Sequence, residues 1–162
     1  MQNMFELKKG RDIAVKGRKA VVILKFFRER MKKWGIPLPA TDLLVLDFGL
    51  GEFPQTGLVE SWICNEKDAG YCAKYLFVQK GQSCPIHRHK VKHETFFVLK
   101  GKVRMLLGER KIGLKEGDTL AVGEGVRHGF TGITDSLLLE VSKPCVITDN
   151  YFENPRIKIN KK

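Results

Sequence analysis

Apolar side chains near the N-terminus recur at the spacing of an amphipathic helix. Over residues 11–34 an apolar stripe repeats every three or four residues, and charged side chains take the opposite face. The stripe consists of Ala20, Leu24, Phe27, Met31 and Trp34. Gly35 follows the last of these, and Pro37 and Pro39 come soon after, a pattern typical of a helix C-terminus. We therefore predict a helix over residues 11–34 that packs by this stripe.

From residue 42 onward the pattern changes to short apolar segments separated by glycine, which indicates β-structure. The predicted strands are Leu44–Asp47, Val59–Cys64, Ala73–Gln79, His87–His89, Glu94–Lys100, Lys102–Leu107, Thr119–Val122 and Leu137–Val141. Gly101 predicts one tight hairpin, and Gly108-Glu109-Arg110 predicts another.

These elements predict a single domain with two regions. Residues 1–40 would form a helical extension packed on a barrel, and residues 41–162 would form the all-β barrel with an extended C-terminal arm from Asp149. A chain of 162 residues with 43% hydrophobic content is long enough to bury one core.

The cysteine content and the N-terminal sequence indicate the cellular compartment. The four cysteines form no C-x-x-C pair, and the N-terminus shows no signal-peptide pattern; they are Cys64, Cys72, Cys84 and Cys145. We therefore expect free thiols and a cytoplasmic protein. No apolar run is long enough to span a bilayer, so no membrane partner is expected.

The net charge of +11 is concentrated at the two ends of the chain. Residues 1–40 carry 11 basic and 3 acidic side chains, and residues 155–162 carry four basic ones and no acidic ones. A basic protein invites a nucleic-acid role, but no recognition helix, zinc finger or aromatic RNA-binding motif accompanies the charge. A lysine-rich solvated face accounts for it better, and we expect no nucleic-acid partner. Binding of the basic helix to a membrane surface is a weaker alternative.

Three of the four histidines lie in one short run, at His87, His89 and His93. On a strand, His87 and His89 point to the same side because they are two residues apart. Neutral imidazole is a common metal ligand, so these two rings, with Glu94 and the distant His128, are candidates for one metal site. The alternative is an exposed basic strand edge, since Arg88, Lys90 and Lys92 are interleaved.

Two motifs in the sequence resemble those of the cupin superfamily. The first, G-x5-H-x-H-x4-E-x6-G, is matched at every spacing by Gly81, His87, His89, Glu94 and Gly101. The second, G-x5-P-x-G-x2-H, is matched by Gly117, Gly125 and His128, with Gly123 in place of the usual proline. The resemblance implies a cupin jelly-roll barrel (double-stranded β-helix) and metal ligation by His87, His89, Glu94 and His128.

Several further segments resemble the D-lyxose isomerase family of cupin sugar isomerases. They lie between Trp34 and Arg156 and include residues 34–39, 46–53, 71–74, 81–89, 93–96, 140–142 and 149–156. The resemblance implies a metal-dependent aldose–ketose isomerase acting on an unphosphorylated sugar, of the D-lyxose/D-xylulose or D-mannose/D-fructose type. It also favours Mn²⁺ as the metal and a homodimer as the assembly. The ligand set would equally accept Fe²⁺, Co²⁺, Ni²⁺ or Zn²⁺.

Aldose–ketose isomerisation moves a proton from C2 to C1 of an open-chain sugar through an enediolate. A base that is not a metal ligand must therefore lie near these carbons. Glu140, near the end of a predicted strand, is the candidate base. Lys74 alternates with the apolar Leu76 and Val78, so its side chain should face inward and stabilise the oxyanion.

Other functions remain open at this point. A phosphosugar isomerase would need a cationic phosphate pocket, for which Arg88, Lys90 and Arg104 are the candidate sources. The same four ligands would also suit a non-haem metal dioxygenase, and a non-catalytic sugar-binding cupin is the third alternative.

Overall fold

The protein forms two α-helices followed by eleven strands over residues 4–159, the part of the chain that the computed structural model describes, and a short 3₁₀-helix (Ile147–Asp149) lies between the last two strands. The helices are α1 (Met4–Ile13) and α2 (Gly17–Trp34). The strands are β1 (Leu43–Leu46), β2 (Leu58–Glu66), β3 (Tyr71–Val78), β4 (Ser83–Arg88), β5 (Glu94–Lys100), β6 (Lys102–Leu107), β7 (Arg110–Lys115), β8 (Thr119–Val122), β9 (His128–Gly132), β10 (Ser136–Ser142) and β11 (Tyr151–Phe152). The outer ends of the two predicted regions, residues 1–3 and 160–162, lie outside the described residues.

The strands form two antiparallel sheets. The first has the order β1-β2-β3-β10-β5-β8, and the second has the order β11-β4-β9-β6-β7. Their facing sides enclose the main apolar core, to which both sheets contribute, for example Leu76 and Val98 from the first and Val103 and Met105 from the second. The all-β prediction is confirmed, with both α-helices in the N-terminal region.

The predicted helix over residues 11–34 is wrong at its start. The chain instead forms two helices, and residues 14–16 between them are not helical. The backbone N–H of Val15 donates to the carbonyl of Val45 (2.8 Å), so β1 takes a bond that a continuous helix would have used internally. Gly17 follows with a φ of 70°, which a helix interior does not allow. The predicted end is correct, because Gly35 caps α2 in the left-handed conformation.

The structure also corrects the strand predictions. β4 is Ser83–Arg88 rather than His87–His89, so His89 lies just beyond it. Gly101 does not form a hairpin, because β5 and β6 belong to different sheets and the chain crosses between them there. A side chain at Gly101 would meet the carbonyl of Asp135 at 2.4 Å, so this corner requires glycine. The other predicted hairpin is confirmed, since β6 pairs with β7 around Gly108.

Helix α2 packs against the outer face of the first sheet. Phe27 and Met31 are buried there among side chains of the sheet, which include Val59, Phe77 and Leu137. The charged side chains predicted for the opposite face are exposed: Lys25, Arg28, Glu29 and Lys32. The predicted stripe is therefore the packed face of the helix. Neither described helix is long and apolar enough to cross a bilayer.

The C-terminal segment returns to the second sheet. Tyr151 and Phe152 of β11 pair with Arg88 and His87 of β4, and Ile157 further along is fully buried. The arm therefore supplies a strand and part of the core.

We expect Phe27→Ala to lower the free energy of unfolding by about 3–5 kcal/mol, because the ring is fully buried and contacts Phe77. Chemical denaturation monitored by circular dichroism would measure this. Val22→Ala is the matched control on the same helix, since Val22 is 62% exposed and its loss should change stability by less than about 0.5 kcal/mol. Equal effects of the two substitutions would contradict the packing of α2.

Candidate metal centre and active site

The structure brings the four predicted ligands into one buried cluster. One ligand atom from each of His87, His89, Glu94 and His128 lies within 4.8 Å of the others. His87 on β4 pairs directly with His128 on β9, and their ring centroids are 4.3 Å apart. Glu94 is the first residue of β5. Three separate strands and the segment after β4 therefore meet at this point between the sheets.

Each imidazole is oriented by a backbone carbonyl. Nδ1 of His87 lies 2.8 Å from the carbonyl oxygen of Pro85, and Nδ1 of His128 lies 3.0 Å from that of Val126. Nδ1 of His89 lies 2.8 Å from the carbonyl oxygen of Asp149. A carbonyl only accepts hydrogen bonds, so each Nδ1 carries a proton, and in the neutral ring the lone pair is on Nε2. Metal-binding histidines are typically held in this way.

The atoms that face the centre of the cluster lack hydrogen bonds. Among the described residues, Nε2 of His89, Nε2 of His128 and Oε1 of Glu94 are buried without a partner. The Nε2 atom of His128 lies 2.6 Å from Glu94 Oε1, and the Nε2 atom of His89 lies 3.4 Å from the same oxygen. Buried polar atoms almost always have partners. A divalent metal ion satisfies all three atoms, so the cluster fits the ion that the motif implies.

The electrostatics of the cluster favour the metal-binding protonation states. Burial, together with the neighbouring His128 and His89, holds the pKa of His87 well below its ordinary value, so its ring is neutral. Burial alone would raise the pKa of Glu94, but the ammonium of Lys92 outweighs it, and the pKa lies well below the ordinary value. Neutral imidazole and ionised carboxylate are the forms that bind metals.

Asp149 supports the segment that carries His89. Its carboxylate accepts hydrogen bonds from three successive backbone N–H groups, those of Lys90, Val91 and Lys92, at 2.9–3.1 Å. Its carbonyl holds the ring of His89. One residue of the C-terminal segment therefore fixes both a ligand and the turn that follows it.

Lys92 connects the metal cluster to the candidate base. Its ammonium lies 2.7 Å from Glu94 Oε2 and 2.8 Å from Glu140 Oε1, and its side chain is buried. Burial disfavours an ammonium, but the two carboxylates raise the pKa of Lys92 above its ordinary value, so it stays charged. This position of Lys92 was not predicted, because in the sequence Lys92 is one of the basic residues interleaved with the histidines.

Lys74 and Glu140, the two candidate catalytic residues, face each other across β3 and β10. They are directly paired in register, and Lys74 Nζ lies 3.4 Å from Glu140 Oε2. Both side chains point inward and are at most 5% exposed. Burial would raise the pKa of Glu140, but Lys74 and Lys92 lower it below the ordinary value. Glu140 is therefore an ionised carboxylate that is not one of the four clustered ligands.

A small cavity joins these groups. It encloses about 40 Å³, and its polar lining consists of His87, Lys92, Glu94, Glu140, Lys74 and Glu60. The rings of Phe48 and Phe152 form part of its wall, with centroids 5.2 Å apart. Cys84 also lines it, and burial raises the pKa of the thiol, which is therefore protonated and unreactive.

Two matches to family models cover the site. A cupin domain model matches residues 75–141, and a D-lyxose isomerase model matches residues 42–107. A D-lyxose/D-mannose isomerase of Thermosediminibacter oceani is 30% identical over 161 residues, covering 80% of this chain and 88% of the relative. The chain belongs to the D-lyxose isomerase family of cupins. The family resemblance seen in the sequence is thus confirmed, and with it an enzyme of the sugar isomerase class.

Solved structures show the same fold. The L-ribose isomerase of Cellulomonas parahominis aligns with a TM-score of 0.73 over 90% of this chain and 95% of that chain, at 15% identity. A mutant L-ribose isomerase of Acinetobacter sp. DL28, in complex with L-ribose, aligns with a TM-score of 0.74 over the same shares at 13% identity. The chain therefore has the cupin jelly-roll architecture over nearly its full length.

We expect His89→Ala to lower metal affinity by more than about 100-fold. Loss of a residue that only hydrogen-bonds to a metal ligand costs roughly 10–100-fold, and loss of a ligand itself should cost more. The barrel should remain folded, because the sheets supply their own core. Calorimetric titration with Mn²⁺ and metal analysis of the dialysed protein would measure the affinity. His93→Ala is the matched control, since His93 is exposed in the same segment. Unchanged affinity in His89→Ala would contradict the assigned ligand set.

Proposed function

We propose that this cupin is a metal-dependent aldose–ketose isomerase acting on an unphosphorylated sugar of the D-lyxose/D-xylulose or D-mannose/D-fructose type. The observation that carries the proposal is the buried carboxylate of Glu140, held between two ammonium groups beside the four-ligand cluster. Family membership, and the activity in the name of the D-lyxose/D-mannose isomerase relative, support the substrate class.

In this proposal Glu140 is the general base. Its Oε1 is occupied by Lys92 at 2.8 Å and by the hydroxyl of Ser142 at 3.0 Å. Within residues 4–159 its Oε2 has only the longer contact with Lys74, so this oxygen can take the proton from C2 and return it to C1. Lys74, charged and directed into the same cavity, stabilises the oxyanion that develops on the sugar.

The four ligands His87, His89, Glu94 and His128 would hold a divalent ion, with Mn²⁺ as our choice from the family resemblance. Three imidazole nitrogens and one carboxylate oxygen also suit Fe²⁺, Co²⁺, Ni²⁺ and Zn²⁺. When bound, the ion would supply a Lewis acid for the two adjacent sugar oxygens.

The distribution of cations favours an unphosphorylated sugar. The three candidate phosphate-binding residues, Arg88, Lys90 and Arg104, are all exposed to solvent, and none lines the cavity between the sheets. The two cations that do line it, Lys74 and Lys92, are already paired with carboxylates. The buried carboxylate of Glu140 likewise favours an isomerase over a dioxygenase, because a dioxygenase does not need a general base at this position.

Substrate entry requires movement of the cavity wall. The cavity of about 40 Å³ is far below the roughly 300–1,000 Å³ of ordinary ligand pockets. Phe48 adopts a φ of 57°, which is unusual for a residue other than glycine, and Gly49 and Gly51 beside it are also left-handed. We propose that this turn moves to admit the sugar.

We expect Glu140→Gln to reduce turnover by about 10²–10⁴-fold while metal and sugar binding persist, because glutamine keeps the shape but cannot accept the proton. Ketose formation from a panel of aldoses by the Mn²⁺-loaded protein would measure turnover. Full activity in this variant would remove Glu140 as the base. Solvent deuterium should appear at C1 of the ketose, whereas complete retention of the C2 hydrogen would indicate a hydride shift instead.

We also propose that the enzyme is a homodimer joined through an uncharged part of the first sheet. Two rows of side chains on its outer face contain no charge: Ala73, Val141 and Thr95, then Tyr75, Leu139 and Phe97. Tyr75 also packs against the cluster that includes Phe27 and Met31 of α2. Val141 is 50% exposed at the centre of the first row. Two copies that each carry a net charge of +11 would meet with least repulsion on such a surface.

Val141→Arg should convert the dimer to a monomer of 18.4 kDa, because a twofold interface would bring the two guanidinium groups together. Light scattering coupled to size exclusion would measure the mass. Val21→Arg is the control at an exposed valine on α2 and should leave the dimer intact. A monomeric parent protein, or a dimer unaffected by Val141→Arg, would refute this interface.

A further inference from the structure

Glu60 is a third acidic side chain in the cavity, and the family motifs do not include it. It lies on β2 and lines the same space as Glu94 and Glu140. Its side chain is 12% exposed, so a carboxylate has been placed largely out of water. Burying a carboxylate is costly unless its oxygens are well paired, so its position requires an explanation.

One oxygen of Glu60 is firmly held. The indole N–H of Trp62, two residues along the same strand, donates to Oε2 at 2.8 Å. Trp62 is only 3% exposed, so the donor is fixed by the core around it. The bond orients the carboxylate and leaves Oε1 directed toward Lys74.

The other oxygen of Glu60, Oε1, has no short hydrogen bond to Lys74. Among the described residues, Oε1 of Glu60 has a single polar contact, a long one of 3.5 Å to Lys74 Nζ. The same ammonium lies 3.4 Å from Glu140 Oε2 and 3.7 Å from the sulfur of Cys145, so it has no short hydrogen bond to any of the three. Lys74 is thus shared between two carboxylates, each of which keeps one oxygen available within the cavity.

We infer that Glu60 is a specificity-determining residue that accepts a hydrogen bond from a sugar hydroxyl through Oε1. This inference rests on the proposed function for the identity of the ligand as an open-chain polyol. Glu140 and Glu60 flank Lys74, so a sugar whose C2 hydrogen faces Glu140 presents a hydroxyl further along its chain to Glu60. A fixed carboxylate acceptor discriminates strongly against analogues that lack the matching hydroxyl.

The test uses a probe that binds but cannot isomerise: the pentitol obtained by reducing D-lyxose, which has no carbonyl group. Calorimetry on the Mn²⁺-loaded protein would measure its affinity. We expect Glu60→Gln to weaken binding by about 10–100-fold, the usual effect of losing a hydrogen bond to a charged group. Glutamine still accepts the bond from Trp62. Glu66→Gln is the matched control, because Glu66 is on the same strand and does not line the cavity.

Three monodeoxy pentitols, which lack the hydroxyl at C3, C4 or C5, identify the contact. On the parent protein, one of the three should bind about 10–100-fold more weakly than the full pentitol. On the Glu60→Gln variant, the same deoxy compound should bind as tightly as the full pentitol. This non-additivity indicates a direct interaction, which a merely structural role for Glu60 would not produce. If Glu60→Gln does not fold, Glu60→Asp, which retains the charge beside Lys74, should show the same loss of affinity.

The outcomes separate the two proposals. Unchanged pentitol affinity in Glu60→Gln or in folded Glu60→Asp, or additive losses with every deoxy probe, would overturn the role of Glu60 even if the protein isomerises aldoses. Failure of the protein to convert any aldose would overturn the isomerase proposal, while Glu60-dependent pentitol binding would still stand. A parent protein that does not bind the pentitol contradicts the inference directly.

Discussion

The pairing of five charged side chains inside the barrel is the constraint on which the site depends. From Glu94 the contacts pass through Lys92, Glu140 and Lys74 to Glu60, so that carboxylate and ammonium groups alternate. In a buried environment each charge needs its neighbour, and removing one partner typically costs about 3–5 kcal/mol. Three carboxylates and two ammonium groups leave one excess negative charge in the set. That excess favours a cation among the histidines, which are uncharged when they bind metal.

The two-sheet architecture makes this series possible. β3 and β10 are directly paired, so Lys74 and Glu140 face the interior at the same level, and β5 beside them brings Glu94 to the edge of the same face. The second sheet supplies two imidazoles from the opposite side through the β4–β9 pair. One wall therefore carries Lys74, Glu140 and Glu94, and the other carries His87 and His128. A substrate between the sheets would contact both.

The sequence predicted the features that depend on local spacing. The two cupin motifs identified four residues that the structure clusters, and strand alternation placed Lys74 inward. Features set by tertiary contacts were missed. β9 was not predicted as a strand, because its two glycines, Gly129 and Gly132, are typical of loops. Glycine is needed at position 129 because a side chain there would lie 3.0 Å from the carbonyl of Cys84 on the neighbouring strand. Asp149 and Lys92 gain their roles from partners 57 and 48 residues away. Glu60 alternates with Leu58 and Trp62, and that pattern indicates an inward carboxylate.

The bond from His89 to the carbonyl of Asp149 has a consequence for the order in which the protein is made. Synthesis proceeds from the N-terminus, and the four ligands emerge by residue 128, yet the group that orients one of them lies 60 residues beyond His89. The strand β11, which completes the second sheet beside β4, comes later still. A nascent chain can therefore build most of both sheets before the four-residue cluster has its final geometry. The ring of His89 takes its final orientation only after Asp149 has been made and its segment has packed beside β4.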